Sequence, residues 1–227
     1  MKLSNQTLSI LRNFASINSG IWVDAGTQLK TVSLAKNMLA EATVNDDFPV
    51  SFGIYDLNEF LSVLSIHKDA PDLDFDEHHV IVQGFAGRSK VKYRVTDKQM
   101  ITTPPDKKIK FPTPDVSFTL NESDFAWITN AAKVLKSPNI GIQSDGTKVF
   151  LIAFDYKNDS AHIDSLELEV NGNGAEYTMF YKTEDLSKLI PGTYDVQFSQ
   201  NGISSYQHTG INLHYYLMFE SDSKYSS

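Results

Sequence analysis

The chain has 227 residues, 41% hydrophobic and 21% charged, which fits one large or two ordinary soluble domains. It contains no cysteine, which excludes disulfide frameworks, thiolate metal sites and thiol nucleophiles. A formal net charge of −8 argues against a protein that grips nucleic acid with its whole surface, but allows a few basic residues gathered on one face. The N-terminal residues lack an apolar signal core, and no apolar run approaches the roughly 20 residues needed to span a bilayer. No membrane partner is expected, and a reducing cytoplasm is the expected home.

The first helix is predicted over 4–16, with Ser4 as N-cap, Leu8, Leu11, Phe14 and Ala15 on one face, and Asn18-Ser19-Gly20 ending it. Strands are expected at 21–25, 28–33, 37–44 and 50–55. The last leads into a second helix over 57–66, where Asp56 and Glu59 have capping-box spacing. Strands at 73–76, 79–84 and 90–95 follow. A strand at 116–120 precedes the third helix, 122–136, capped by Asn121 with Phe125, Ile128, Ala132 and Leu135 at 3,4,3 spacing. Strands at 140–143, 148–154, 162–170 and 176–182 come next. A short fourth helix, 184–190, is capped by Thr183 and stopped by Pro191-Gly192. Strands at 194–199, 203–208 and 212–220 end the chain, separated by polar turns that include Asn171-Gly172-Asn173-Gly174 and Asn201-Gly202.

The order helix, three strands, a fourth strand, helix, three strands occurs twice. This predicts an α+β chain of two similar domains, each with two helix-plus-strands repeats. The expected domains are 1–96 and 115–222, with a connector at 97–114 and a flexible polar tail at 223–227. The connector holds Pro104, Pro105, Pro112 and Pro114 with Lys107, Lys108 and Lys110, and reads as extended. Its apolar residues Ile109 and Phe111 either pin it to a domain surface or form one wall of a partner groove.

Signs of catalysis or metal binding are weak. Asp72, Asp74 and Asp76 resemble the start of an EF-hand loop, but the sixth and twelfth positions are Glu77 and Gln83 instead of Gly and Glu. Glu77, His78 and His79 point to alternate faces of a strand, and His67, His162, His208 and His214 are scattered. No phosphate loop, nucleophile elbow or zinc-protease helix is present. No cofactor and no enzyme activity are expected. An active site of carboxylates distant in sequence stays open as a minor reading.

The opening Met1-Lys2-Leu3-Ser4, the run from Asn13 to Ile21, the junction Ile54-Tyr55-Asp56-Leu57-Asn58 with Phe60-Leu61 and Leu64-Ser65, and the pair Phe111-Pro112 resemble the sliding clamps of T-even-like bacteriophages. The resemblance is specific in the first 65 residues and extends to the whole chain in length and element order. It implies a DNA-clamp fold, with helices lining a ring of three subunits and sheets outside. Such a homotrimer would encircle duplex DNA without regard to sequence and tether the replicative polymerase by its C-terminal peptide. A clamp-loader ATPase would open it, late-transcription factors would use it as a platform, and it would work in the cytoplasm of the infected bacterial host.

The charge pattern gives this resemblance a physical counterpart. Arg12 lies at the edge of the first helix's polar face. Lys133 projects opposite the apolar stripe of the third helix, with Lys136 at its edge. Lys188 belongs to the fourth helix and Lys182 just precedes it. The second helix has no basic residue of its own, and His67 and Lys68 follow it. With Lys2 ahead of the first helix, Lys2, Arg12, Lys133, Lys136, Lys182 and Lys188 are the expected DNA-facing residues. Ile109, Phe111, Pro112, Tyr216 and Met218 are the expected partner groove, although the strand holding the last two reads more readily as core, and alternate residues can do both. The alternative is a non-enzymatic β-rich viral structural or interaction protein, which would share the acidic charge and lack of motifs.

Overall fold

Ser4 begins the first helix of this computed structural model, which describes residues 1–67, 70–105, 107, 109–158, 160–171 and 173–226. Lys68, Lys108, Gly172 and Ser227, noted in the sequence, lie outside the described residues. The chain divides into two units, residues 1–108 and 109–227. The division falls inside the proline-rich segment.

In the first unit, α1 (Asn5–Ile17) starts where the Ser4 hydroxyl accepts from the Thr7 amide at 3.2 Å. The Ser4 amide and hydroxyl in turn donate to Asp46, each at 2.8 Å. Burial alone would raise the Asp46 pKa, but hydrogen bonds from Thr7 and Ser4 outweigh it and the pKa is lowered. The helix ends at Asn18, which is buried yet satisfied. Its side-chain amide donates to the carbonyls of Val32 (3.1 Å) and Thr102 (2.9 Å), and its carbonyl accepts from Gly20. Strands β1 (Ile21–Val23), β2 (Gly26–Val32), β3 (Met38–Phe48) and β4 (Phe52–Ile54) follow, with β1 antiparallel to β4 and β2 to β3. Asp56 then caps α2 (Leu57–Ser65) through the Glu59 amide at 3.0 Å. The meander β5 (Asp72–Phe75), β6 (His79–Gly84), β7 (Ser89–Arg94) completes the unit. Ile10, Leu11 and Phe14 of α1, with Leu57, Phe60 and Leu64 of α2, supply buried helix faces, and Leu29, Met38, Ala42, Val80 and Val82 supply buried strand faces.

The second unit repeats the order. Strand β8 (Val116–Leu120) precedes α3 (Glu122–Leu135), β9 (Asn139–Asp145), β10 (Lys148–Phe154) and β11 (Asp164–Asn171). Strand β12 (Glu176–Lys182) precedes the one-turn α4 (Thr183–Leu186), β13 (Tyr194–Ser199), β14 (Ile203–His208) and β15 (Leu213–Met218). Each leading strand pairs into the other repeat's sheet: β12 joins β9, and β8 joins β13. The first unit shows the same exchange where β4 joins β1, and where Met1 and Leu73 of β5 bond backbone to backbone in both directions at 2.6 Å. Four tyrosines fill the second core. The Tyr206 hydroxyl donates to that of Tyr181 at 2.9 Å, Tyr194 donates to the Ile190 carbonyl, and Tyr215 accepts from the Ile190 amide at 3.3 Å.

Three expectations differ from the structure. The fourth helix is shorter than 184–190, because the backbone after Thr183 tightens into three-residue turns, Lys188 to Asp185 and Leu189 to Leu186. Its N-cap is Lys182, while the Thr183 hydroxyl donates to the Ser137 carbonyl. Asn121 sits at the N-cap of α3 without a side-chain capping bond, and Thr193 accepts from the Glu122 amide instead. Residues 224–226, expected in a flexible tail, form a strand: β16 (Lys224–Ser226) pairs with the edge of β12, and Tyr225 stacks on Tyr177 with ring centroids 5.7 Å apart and planes 5° from parallel. Tyr225→Ala is expected to lower the unfolding free energy by about 1 kcal/mol, measured by urea titration. An unchanged midpoint would show that β16 adds nothing to the fold.

Candidate nucleic-acid interface

The exposed faces of the long helices carry few carboxylates. On α1 the outward residues are Asn5, Ser9, Arg12 and Ser16, and the helix carries no carboxylate. On α2, Asn58, Ser62 and Ser65 face solvent, and the one acid, Glu59, accepts a hydrogen bond from Tyr93 of β7 at 3.0 Å. On α3, Ser123, Ala126, Asn130 and Lys133 form a stripe, with Glu122 and Asp124 confined to the first turn, where the helix dipole favours them. The faces of α1 and α2 are hydrogen-bonding surfaces, that of α3 also exposes Trp127 and Val134, and each stripe has at most one cation. Most of the 28 carboxylates lie elsewhere in the chain.

The expected basic residues fare differently. Arg12 is exposed beside a cleft of about 170 Å³ that is also lined by Leu8, Leu61, Ser65, Pro71 and Leu73. Lys133 and Lys182 are exposed, and Lys136 ends α3 in the left-handed conformation at φ 55° with its side chain in solvent. Lys2 is exposed and 3.8 Å from an equally exposed Asp72, a contact of little energy. Lys188 departs from expectation. Its side chain is only 19% exposed, and its ammonium lies 3.2 Å from Asp185 and 3.5 Å from Glu184. The tight turn after Thr183 brings the carboxylates of α4 onto it and neutralises the charge.

Of the expected groove residues, Phe111 and Tyr216 come together within the second unit. Phe111 and Tyr216 lie with ring centroids 6.4 Å apart, Tyr216 lies 4.1 Å from the His214 ring, and the Ser205 hydroxyl meets His214 Nε2 at 2.6 Å. Met218 is 55% exposed, while Ile109 and Pro112 are half-buried. Strand β15 has one buried face and one more open face. Leu213, Tyr215 and Leu217 are buried, and His214, Tyr216 and Met218 alternate with them on the other face. His214, grouped in the sequence with scattered histidines, belongs to this aromatic patch, and the two-residue spacing was the available signal.

Other candidate chemistry resolves into structure. Asp76 accepts the backbone amides of His78 (2.9 Å) and His79 (2.7 Å), and these bonds, the first foremost, lower its pKa. It closes the turn between β5 and β6. Among the described residues no three His, Cys, Asp or Glu side chains group in a metal-binding arrangement. None of the described helices is long and apolar enough to cross a membrane.

A family model described as "DNA polymerase processivity factor" matches residues 2–103. The sliding clamp of Vibrio phage KVP40 is 32% identical over 97% of this chain and 99% of its own length. That of Enterobacteria phage T4 is 28% identical over 98% of both chains. The chain belongs to the sliding-clamp family. The fold is shared more widely: the structure of Proliferating Cellular Nuclear Antigen from Entamoeba histolytica superposes with a TM-score of 0.69, covering 94% of each chain at 15% identity. The whole-chain match to phage clamps sets aside the reading as a virion component. The sliding-clamp family is one of processivity factors.

The groove carries a pH signature of its own. Burial lowers the His214 pKa from the usual 6.5 to about 4. The unfolded chain therefore takes up a proton before the folded one does. Stability present above pH 6.5 is lost as pH falls toward 4. His214→Asn is expected to remove this part of the pH dependence, read as the difference between urea midpoints at about pH 7 and about pH 5.

Proposed function

We propose that three copies of the chain close into a ring around duplex DNA, and that the exposed faces of α1, α2 and α3, with Arg12, Lys133, Lys136, Lys182 and Lys2, line the passage. The single observation that carries this reading is the charge of those faces: isolated cations among serine and asparagine, with two exposed apolar side chains on α3 and few outward carboxylates, on a chain of net charge −8. Each phosphate contact adds affinity through counterion release, so many strong contacts would stall a sliding protein. Phosphate contacts also carry no sequence information directly, which suits movement along any duplex. A closed ring needs little affinity, since leaving requires a subunit interface to open. Lys188 is left out of the set because its charge is held by Glu184 and Asp185.

In this reading the protein catalyses nothing and needs no cofactor. It holds the replicative polymerase by its C-terminal peptide, is opened by a clamp-loader ATPase, serves late-transcription factors as a platform and acts in the cytoplasm of the infected bacterial host. The peptide would lie against Phe111, Tyr216 and Met218, with Ile109 and Pro112 at its border. An aromatic surface already packed on its own sheet offers apolar area at small entropic cost.

Two measurements test the reading. Arg12→Glu and Lys133→Glu should each lower processive synthesis by the loaded clamp and reduce the slope of log affinity against log salt by about 1. Unchanged slopes would remove those residues from the passage. Phe111→Ala should weaken binding of the polymerase's C-terminal peptide by about tenfold while leaving the mass of the oligomer unchanged. Equal peptide affinity in a titration would take Phe111 out of the groove.

A further inference from the structure

The seam between α1 and α2 is not sealed along its whole length. Asn5, Leu8 and Arg12 recur on one stripe of α1, Leu61, Leu64 and Ser65 lie on one stripe of α2, and both stripes line the cleft of about 170 Å³. Buried Leu3 and Leu73 close its floor. Leu8 and Leu61 stay half-buried, so an apolar wall is left open to water. Buried His67 forms part of the same wall, its ring filling the space where a Cβ on Gly84 would stand. The Ser65 hydroxyl already donates to the Ser62 carbonyl, which leaves the Arg12 guanidinium and the Asn5 amide as the exposed donors. Among the described residues no carboxylate lines the cleft.

We infer that this cleft binds a small amphipathic acid, an apolar body of about six carbons carrying one carboxylate, with Arg12 holding the carboxylate. The volume sets the size of the body. An apolar cavity of about 150 Å³ takes up a benzene ring, so a ring or a branched chain of that size fits here. The charge sets the rest. A guanidinium offers a carboxylate two parallel N–H donors, and no described acid in the cleft competes for them. A neutral ligand would leave that donor pair unused, and a second negative charge would lie unpaired against leucine. The floor also has room to yield. Leu3 and Leu73 line, on their other side, a void of about 10 Å³ walled by apolar residues that include Leu11, Ile54 and Phe60. A free small acid and the end of a peptide chain closing on leucine or phenylalanine share this chemistry. The inference goes beyond the ring reading and does not need it. Where that reading holds, the occupant also takes Arg12 away from DNA phosphate and loosens the grip on duplex.

The test is ligand-observed saturation-transfer NMR on the full chain with four probes: 3-phenylpropionate, 3-phenylpropionamide, N-acetylglycylphenylalanine with a free carboxylate, and the same dipeptide as its C-terminal amide. The small acid should bind with a Kd on the order of 1 mM, and each amide at least about tenfold more weakly than its acid. Arg12→Gln, a change at an exposed position, should weaken both acids by about tenfold, and Ser65→Phe, which sets a ring over the cleft, should abolish binding while circular dichroism stays that of the unaltered protein. A dipeptide acid that binds more tightly than 3-phenylpropionate supports the site with a chain end as its ligand, and the reverse order supports it with a free acid. Absence of binding by both acids would overturn the inference. So would acids and amides of equal affinity, an Arg12→Gln protein that binds as the unaltered one does, or binding that survives Ser65→Phe. Saturating 3-phenylpropionate should also lower the slope of log duplex affinity against log salt by about 1. An unchanged slope with binding intact would remove Arg12 from the passage and leave the cleft as a binding site.

Discussion

Many strands in this protein have one dry side and one wet side, and most other features follow from that constraint. A strand places successive side chains on opposite faces, so a helix packed over one face forces an apolar residue at every second position. The other face is then free to carry whatever function requires. Strand β15 shows the arrangement in six residues: Leu213, Tyr215 and Leu217 hold the core, and His214, Tyr216 and Met218 make a surface. Strand β7 does the same with Val91 and Tyr93 inside and three cations outside. The helices obey the rule in their own period, burying Ile10, Leu11 and Phe14 and leaving Asn5, Ser9, Arg12 and Ser16 outward.

This two-sidedness reconciles an acidic protein with a nucleic-acid partner. Charge is sorted by element rather than averaged over the surface. Carboxylates gather on strands such as β5 and β11 and in the first turns of α3 and α4, while the outward stripes of α1 and α3 keep one cation each among uncharged side chains. Net charge alone hides this sorting.

Much of the fold was legible because its signals are local. Ser4 and Asp56 cap the helices that their spacing announced, and six strands, 79–84, 116–120, 148–154, 176–182, 194–199 and 203–208, begin and end where the alternation and turn residues placed them. What escaped depends on distant partners. Nothing in Lys224-Tyr225-Ser226 marks a strand until Tyr177 and the edge of β12 are beside it. The candidate site divides along the same line. Phe111 and Tyr216 could be paired as a groove on family resemblance, and Met218 followed by alternation. Lys188 was misjudged because its fate depends on how tightly the chain winds after Thr183, and His214 gains meaning only beside Ser205 and Tyr216.

The exchange of leading strands bears on the order of events during folding. Strand β8 cannot be completed by its own repeat: Thr119 meets Asp195, 76 positions later, across the β8–β13 pair. Strand β9 likewise waits for β12. Contacts this distant in sequence raise the entropic cost of the folding transition state and slow the search for it. A nascent chain that has emerged only as far as β11 holds one half of a mutually dependent pair, with the margin of β9 that receives β12 still open. The same interlocking that makes each unit indivisible once formed makes it late to form, and leaves an unmated strand edge exposed for as long as synthesis takes to supply the second repeat.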